Sequence, residues 1–167
     1  VWDDPSASGS RTELGNLSRA SAAAYLTLNN TDSGVIIEAG GAGMGLVLYA
    51  FSGVLYFQCG GGSGFLPSFN KGVASWTIPN ASDVEYLIEW SANSGSGYAE
   101  LFVDGVSVDV SASYSNGGIT GSDDGGIGRV FSSVCGNRGD WIGSNDGIFT
   151  NTIARADIFV SQTVGGA

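Results

Sequence analysis

Tyr98-Ala-Glu-Leu-Phe-Val-Asp-Gly-Val-Ser-Val-Asp-Val110 reads as a β-hairpin whose register follows from its turn. Asp104-Gly105 is a two-residue connection of the type that needs positive φ, and strand-forming residues flank it on both sides. Closing that turn sets Val103 against Val106, Leu101 against Val108 and Ala99 against Val110. Side chains alternate along a strand, so these apolar residues share one face. Tyr98, Glu100, Phe102, Ser107 and Asp109 fall on the other. The hairpin therefore belongs to a sheet with one buried side.

The same pattern extends outward. Gly45 to Gln58 is a second hairpin, turning at Ser52-Gly53 and pairing Phe51 with Val54, Ala50 with Leu55, Tyr49 with Tyr56 and Leu48 with Phe57. Its core face is Leu46, Leu48, Ala50, Leu55, Phe57 and Cys59; Tyr49, Phe51, Val54 and Tyr56 line the opposite face. Ala24–Leu28, Val35–Glu38 and Val73–Ile78 are short strands. Val84–Ala92 alternates, with Tyr86, Ile88 and Trp90 on one side and Glu85, Leu87 and Glu89 on the other. Short strands at this spacing predict an all-β, antiparallel two-sheet sandwich of jelly-roll type. Helix signals are nearly absent; the best candidate, Leu14 to Ala24, is broken by Gly15, and Ser21-Ala-Ala-Ala24 would form one weak turn. Residues 1–22 read as an arm or an edge strand of a single domain spanning 1–167.

Ala99-Glu-Leu-Phe-Val-Asp-Gly105 resembles the Leu-Tyr-Val-Asp-Gly hairpin of concanavalin A-like, laminin-G-type jelly rolls. Ile153 to Val160 is similar to a late strand of that family, Gly45 to Gln58 to its central hairpin, and Gly125-Gly-Ile-Gly-Arg129 to the glycine-flanked strand after the Asp-Gly turn. The matches occur in the family's order and cover residues 23–160. The resemblance implies a fold; function must be argued from a site.

Composition narrows the function. The chain has 167 residues, a net charge of −10 and only six basic residues, which are scattered. Phosphate recognition requires clustered Lys and Arg, so nucleic acid is not an expected partner. No apolar run is long enough to span a bilayer, so membrane insertion is not expected either. The 28 glycines fall in short clusters between apolar runs and read as turns. Without histidine, Ser-His-Asp and Cys-His catalysis and His-ligated zinc are excluded. Cys59 and Cys135 could pair, or Cys59 could be a reduced packing residue on the buried face of its hairpin. Sequons at Asn16, Asn29 and Asn80, and Arg138-Gly-Asp140, are expected by chance in a chain of this composition.

Thr120 to Gly147 is the least regular stretch, and long connections on a rigid sandwich commonly carry function. Arg138, Asp140 and Trp141, with Arg129, are the expected ligand- or partner-binding residues there; Tyr49 and Tyr56 offer a second aromatic platform. Core packing is the expected role of Trp76 and Trp90. The resemblance implies a calcium ion at the loop rim, for which Asp123, Asp124 and Asp146 are the expected ligands. Glu100 facing Asp109 would be a like-charge pair that a cation or solvent relieves. Related β-glucanases carry Glu-x-Asp-x-Glu on one strand; here Leu87 stands between Glu85 and Glu89, so these residues read as an exposed strand face and the chain as non-catalytic.

The expected function is a surface interaction module: an adhesion or decoration unit on a phage-type virion or similar assembly, with a protein partner or a surface glycan. The acidic, Gly-rich chain and the lack of a recognisable signal peptide motivate that setting. A secreted calcium-dependent carbohydrate-binding module and a degenerate glycoside hydrolase are the alternatives.

Overall fold

Both hairpins form around the turns that their Ser-Gly and Asp-Gly dipeptides specify. In the computed structural model, which describes residues 8–9, 19–41, 44–60, 71–93, 98–111, 124–128 and 149–159, φ is positive at both central residues of each turn. The values are 49° at Ser52, 77° at Gly53, 51° at Asp104 and 78° at Gly105. These are type I′ turns, whose twist matches that of the flanking strands. Asp104 adds a tie to the neighbouring strand: its Oδ1 accepts from the Leu87 N–H at 2.9 Å, and its own N–H donates to the Leu87 carbonyl.

The strands are β1 (Ser8–Gly9), β2 (Arg19–Leu28), β3 (Gly34–Gly41), β4 (Met44–Phe51), β5 (Val54–Gly60), β6 (Lys71–Thr77), β7 (Val84–Asn93), β8 (Tyr98–Val103), β9 (Val106–Ser111), β10 (Asp124–Ile127) and β11 (Ile153–Phe159). They form two antiparallel sheets, one of six strands in the order β1-β10-β3-β4-β5-β6 and one of five in the order β11-β2-β7-β8-β9. The molecule is an all-β sandwich, and no helix occurs among the described residues. Its core lies between the inner faces, where Leu26, Ile37, Leu48, Leu55, Phe57, Ile88, Trp90 and Leu101 are buried. Aromatic contacts cross the gap: Phe57 on β5 meets Trp90 on β7 at 6.1 Å, and Trp76 on β6 meets Tyr86 on β7 edge to face at 5.1 Å. Cys59 is buried in the same core, and Cys135 lies outside the described residues.

The β4–β5 register is the one its sequence specifies, from Phe51 opposite Val54 to Leu46 opposite Cys59. The β8–β9 register is not. It begins as expected, with Val103 opposite Val106 and Phe102 opposite Ser107, but then shifts, so that Leu101 faces Asp109 and Ala99 faces Ser111. A β-bulge at Val108 inverts the faces beyond it and leaves Val110 exposed; Val106, before the bulge and opposite Val103, is exposed beside the turn. The bulge turns Asp109 toward the facing sheet, where its Oδ2 accepts from the Ser75 N–H at 2.8 Å. Ser75 lies on β6, an edge strand, as does β9. The carboxylate thus occupies a ladder donor that the six-stranded sheet leaves open, and it joins the two sheets along that side. The expected Glu100–Asp109 pair does not exist: Glu100 accepts from the Ser107 hydroxyl instead.

The helical turn considered at Ser21–Ala24 is also overturned, because these residues lie within β2, between β11 and β7. Ala22 and Ala24 face inward and are buried; pairing with two neighbours overrides their low strand propensity. Of residues 1–22, Ser8–Gly9 pairs at the sheet edge with β10.

One end of the sandwich is closed by a polar knot. Asp32, buried after β2, accepts from the Asn29 N–H at 2.7 Å, the Thr150 hydroxyl at 3.2 Å and the Asn151 amide at 3.2 Å. Asp83, before β7, accepts from the Asn29 and Asn151 amides at 2.7 and 2.8 Å. Those two amides hold the exposed Asp83 carboxyl below its ordinary range, since both hydrogen bonds favour the charged form.

Candidate functional site

The two outer faces differ in accessibility. On the six-stranded sheet, Val35, Val47, Tyr49 and Gln58 all point away from the core yet are buried. On the five-stranded sheet, none of the described outward side chains is buried: Ser21, Ala23, Tyr25 and Thr27 from β2, Glu85, Leu87, Glu89 and Ser91 from β7, and Glu100 and Phe102 from β8. On the six-stranded sheet the Phe51, Val54 and Tyr56 end of the outer face is accessible, but among the described residues the five-stranded face is the more open of the two.

Its relief comes from the sizes of residues brought side by side. Ser21 stands opposite Ser91, and Ala23 opposite Glu89, which in turn faces Phe102. Small side chains on adjacent strands lower the floor, and the larger Glu89 and Phe102 stand above it. The result is a depression of about 370 Å³ lined by Ser21, Ala23, Glu89, Ser91 and Phe102, with Gly105 of the turn at its rim. That volume lies near the lower end for small-molecule sites. Tyr25, 42% exposed, lies two residues along β2 from Ala23 on the same face and opposite Leu87. The chemistry is a half-buried aromatic ring beside hydroxyls and an acceptor-only carboxylate. An aromatic face takes the C–H surface of a sugar, and carboxylates and hydroxyls take its hydroxyl groups.

The sequence-derived candidates fall elsewhere. Arg129, Arg138, Asp140, Trp141, Asp123 and Asp146 lie outside the described residues, and Asp124 is placed only by its backbone, opposite Gly40 at the start of β10. Tyr49 and Tyr56 come together, their rings stacked at 5.0 Å and 14°. Tyr49 is 3% exposed and its hydroxyl accepts from the Gln58 amide at 2.5 Å, so its ring offers no platform; Tyr56 is half-buried. Glu85 and Glu89 share the outer face with Leu87 between them. The apolar Leu87 side chain therefore occupies the position at which the Glu-x-Asp-x-Glu strand presents a third carboxylate. The depression was missed because no motif marks it. Its signal was Ser21 and Ala23 alternating outward, which only the pairing of β2 with β7 turns into a floor.

The buried Asp32 and the exposed Asp83 share the Asn151 amide, and their oxygens face N–H and O–H donors. The amides that bridge them cannot turn their oxygens inward: Asn29 Oδ1 accepts from the Thr31 N–H and Asn151 Oδ1 from the Thr152 N–H, each at 2.8 Å. No group of three metal-ligating side chains occurs among the described residues.

No protein-family model and no curated protein matches the chain. Solved structures do. The CBM40 of Ruminococcus gnavus IT-sialidase bound to α2,6 sialyllactose superposes with a TM-score of 0.58 at 16% identity, covering 90% of this chain and 81% of that one. The same CBM40 bound to α2,3 sialyllactose gives 0.57 at 15% identity, with 90% and 80% covered. The binding domain of botulinum neurotoxin DC in complex with SialylT gives 0.52 at 14% identity; 65% of this chain spans only 27% of that one. At these identities the likeness is one of fold.

Proposed function

We propose that the chain is a non-catalytic carbohydrate-binding module that engages a surface glycan through the outer face of its five-stranded sheet. The depression between Ser21, Ala23, Glu89, Ser91 and Phe102 carries this reading. It combines an aromatic ring, hydroxyls and a carboxylate on rigid strands, where a sugar ring could stack and hydrogen-bond without ordering a loop. The sugar ligands of the structurally similar CBM40 structures support the same class of partner. We assign the sandwich to the concanavalin A-like, laminin-G-type jelly rolls, on the Asp104-Gly105 hairpin and the strands around it. Display on a virion or another extracellular surface is the setting we favour, since an acidic chain with one open sheet face suits repeated presentation on an assembly. Leu87, standing where the β-glucanase strand places an Asp between its two Glu, argues against hydrolysis.

A glycan array probed with the whole chain, followed by calorimetry on the best ligand, tests the reading. Phe102→Ala removes the ring without touching the core and is expected to weaken binding about tenfold or more. If Phe102→Ala leaves affinity unchanged while Trp141→Ala with Arg138→Ala abolishes it, recognition belongs to the 120–147 connection and the assignment of the face is wrong.

A further inference from the structure

We infer that the glycan taken by this face is uncharged, in contrast to the sialylated ligands of the structurally similar modules; the inference rests on the carbohydrate-binding reading above. The charges of the face carry it. Among its described side chains, Glu85, Glu89 and Glu100 are carboxylates and Arg155 is a cation; by backbone register Asp157 also falls on this face opposite Ala23, and Arg19 opposite Asn93, two residues from Ser21. Asp104 adds an exposed carboxylate at the turn beside the rim. Arg155 stands on β11, the edge strand, opposite Tyr25, two strands from Glu89. Two strand spacings are about 10 Å, about a Debye length at 0.1 M salt. A sialic acid carboxylate in the depression would meet Glu89 directly, on a face where carboxylates outnumber cations. The net charge of −10 extends the same repulsion over the approach path.

Glu89 is also placed to act on a neutral sugar. Glu100 is satisfied within the sheet by the Ser107 hydroxyl at 2.5 Å, whereas Glu89 makes no hydrogen bond among the described residues. It is half-buried, lines the depression and has Phe102 as its cross-strand neighbour. An ionised carboxylate only accepts hydrogen bonds, and its two oxygens can take adjacent hydroxyls of one ring. Ser21 and Ser91, opposite one another beside it, supply hydroxyls that donate or accept. The set is an acceptor-rich floor beside an aromatic wall, complementary to a ring that presents hydroxyl donors on its edge and C–H groups on its face.

The experiment is a mammalian and microbial glycan array read before and after treatment with a sialidase, then calorimetry of the best ligand with the wild-type chain, Glu89→Gln and Phe102→Ala. The expected result is binding to neutral glycans that sialidase leaves unchanged or increases, and that shifts less than about twofold between 50 and 500 mM salt. Glu89→Gln, nearly isosteric, is expected to weaken it about five- to tenfold by replacing charge-assisted hydrogen bonds with neutral ones. Signals that vanish with sialidase, or that strengthen in Glu89→Gln, would overturn the inference while leaving a carbohydrate-binding module in place. Binding confined to amino sugars and abolished by salt would overturn it as well. A chain that binds no glycan on the array would remove the carbohydrate reading itself and this inference with it.

Discussion

Gly53 and Gly105 occupy the same position in two type I′ turns, with φ of 77° and 78°, yet alanine at the two sites is expected to have unequal effects. At Gly105 a Cβ would meet nothing within 4 Å. Gly105→Ala therefore costs only the left-handed backbone penalty, about 1–2 kcal/mol. At Gly53 the added Cβ would lie 2.5 Å from the backbone oxygen of Asn30. That oxygen belongs to a held segment: the Asn30 N–H donates to the Asn80 carbonyl at 2.8 Å, and the Gly53 carbonyl itself accepts from the Ile78 N–H at 2.9 Å. Relief requires the turn or the Asn30 backbone to move, at the expense of those bonds, which adds about 1–3 kcal/mol of overpacking. For a chain of this size each kcal/mol shifts Tm by about 2–4 °C. Gly105→Ala should thus lower Tm by about 2–8 °C and Gly53→Ala by about 4–20 °C, with the larger loss at Gly53 in the same assay, read by thermal denaturation followed by circular dichroism. Equal losses at the two glycines would refute the close packing of the β4–β5 turn on the Asn30 segment.

Other consequences follow from the carboxylates. Asp109→Ala strands the Ser75 N–H on the β6 edge and should cost about 1.5–3 kcal/mol in urea denaturation, with Asp109→Asn recovering part of it; no change in either variant would remove the carboxylate as the joint between the sheets. Asp83 has a folded pKa below its ordinary 3.8, so its contribution is fully present above that value and is lost as pH falls through the lower folded value. Acid titration of stability should therefore show a component below pH 3.8 that Asp83→Asn abolishes, and an unchanged acid profile in the variant would contradict the knot with Asn29 and Asn151.

What the chain reveals in one dimension follows from which interactions are local. Turn chemistry is local, so Ser52-Gly53 and Asp104-Gly105 announced both hairpins; alternation from them placed Leu48, Phe57 and Leu101 in the core, and the separate alternation of Val84–Ala92 put Ile88 and Trp90 on one face. The β8–β9 register broke at Val108 because its cause is remote. Asp109 is drawn to Ser75, 34 residues earlier and on the other sheet, and nothing in the run Val-Ser-Val-Asp-Val marks that pull. Ser21–Ala24 failed for the same reason: alanines state no preference that survives having β11 on one side and β7 on the other. The candidate site is the extreme case. Motif reading favours residues with conspicuous chemistry, and so it went to Trp141, Arg138 and the Tyr49–Tyr56 pair. The depression is made instead by a lack of bulk at Ser21, Ala23 and Ser91, brought into one row only by pairing across β2 and β7. Phe102 and Glu89 acquire meaning from that row, because a ring and a carboxylate on a flat face are ordinary surface, whereas the same pair above a floor of small side chains borders an open depression. A binding face of this kind is legible only after register is known. For a β-sandwich whose sheet face is its site, pairing small residues across predicted neighbouring strands is therefore the more informative reading than any search for charged or aromatic clusters along the chain.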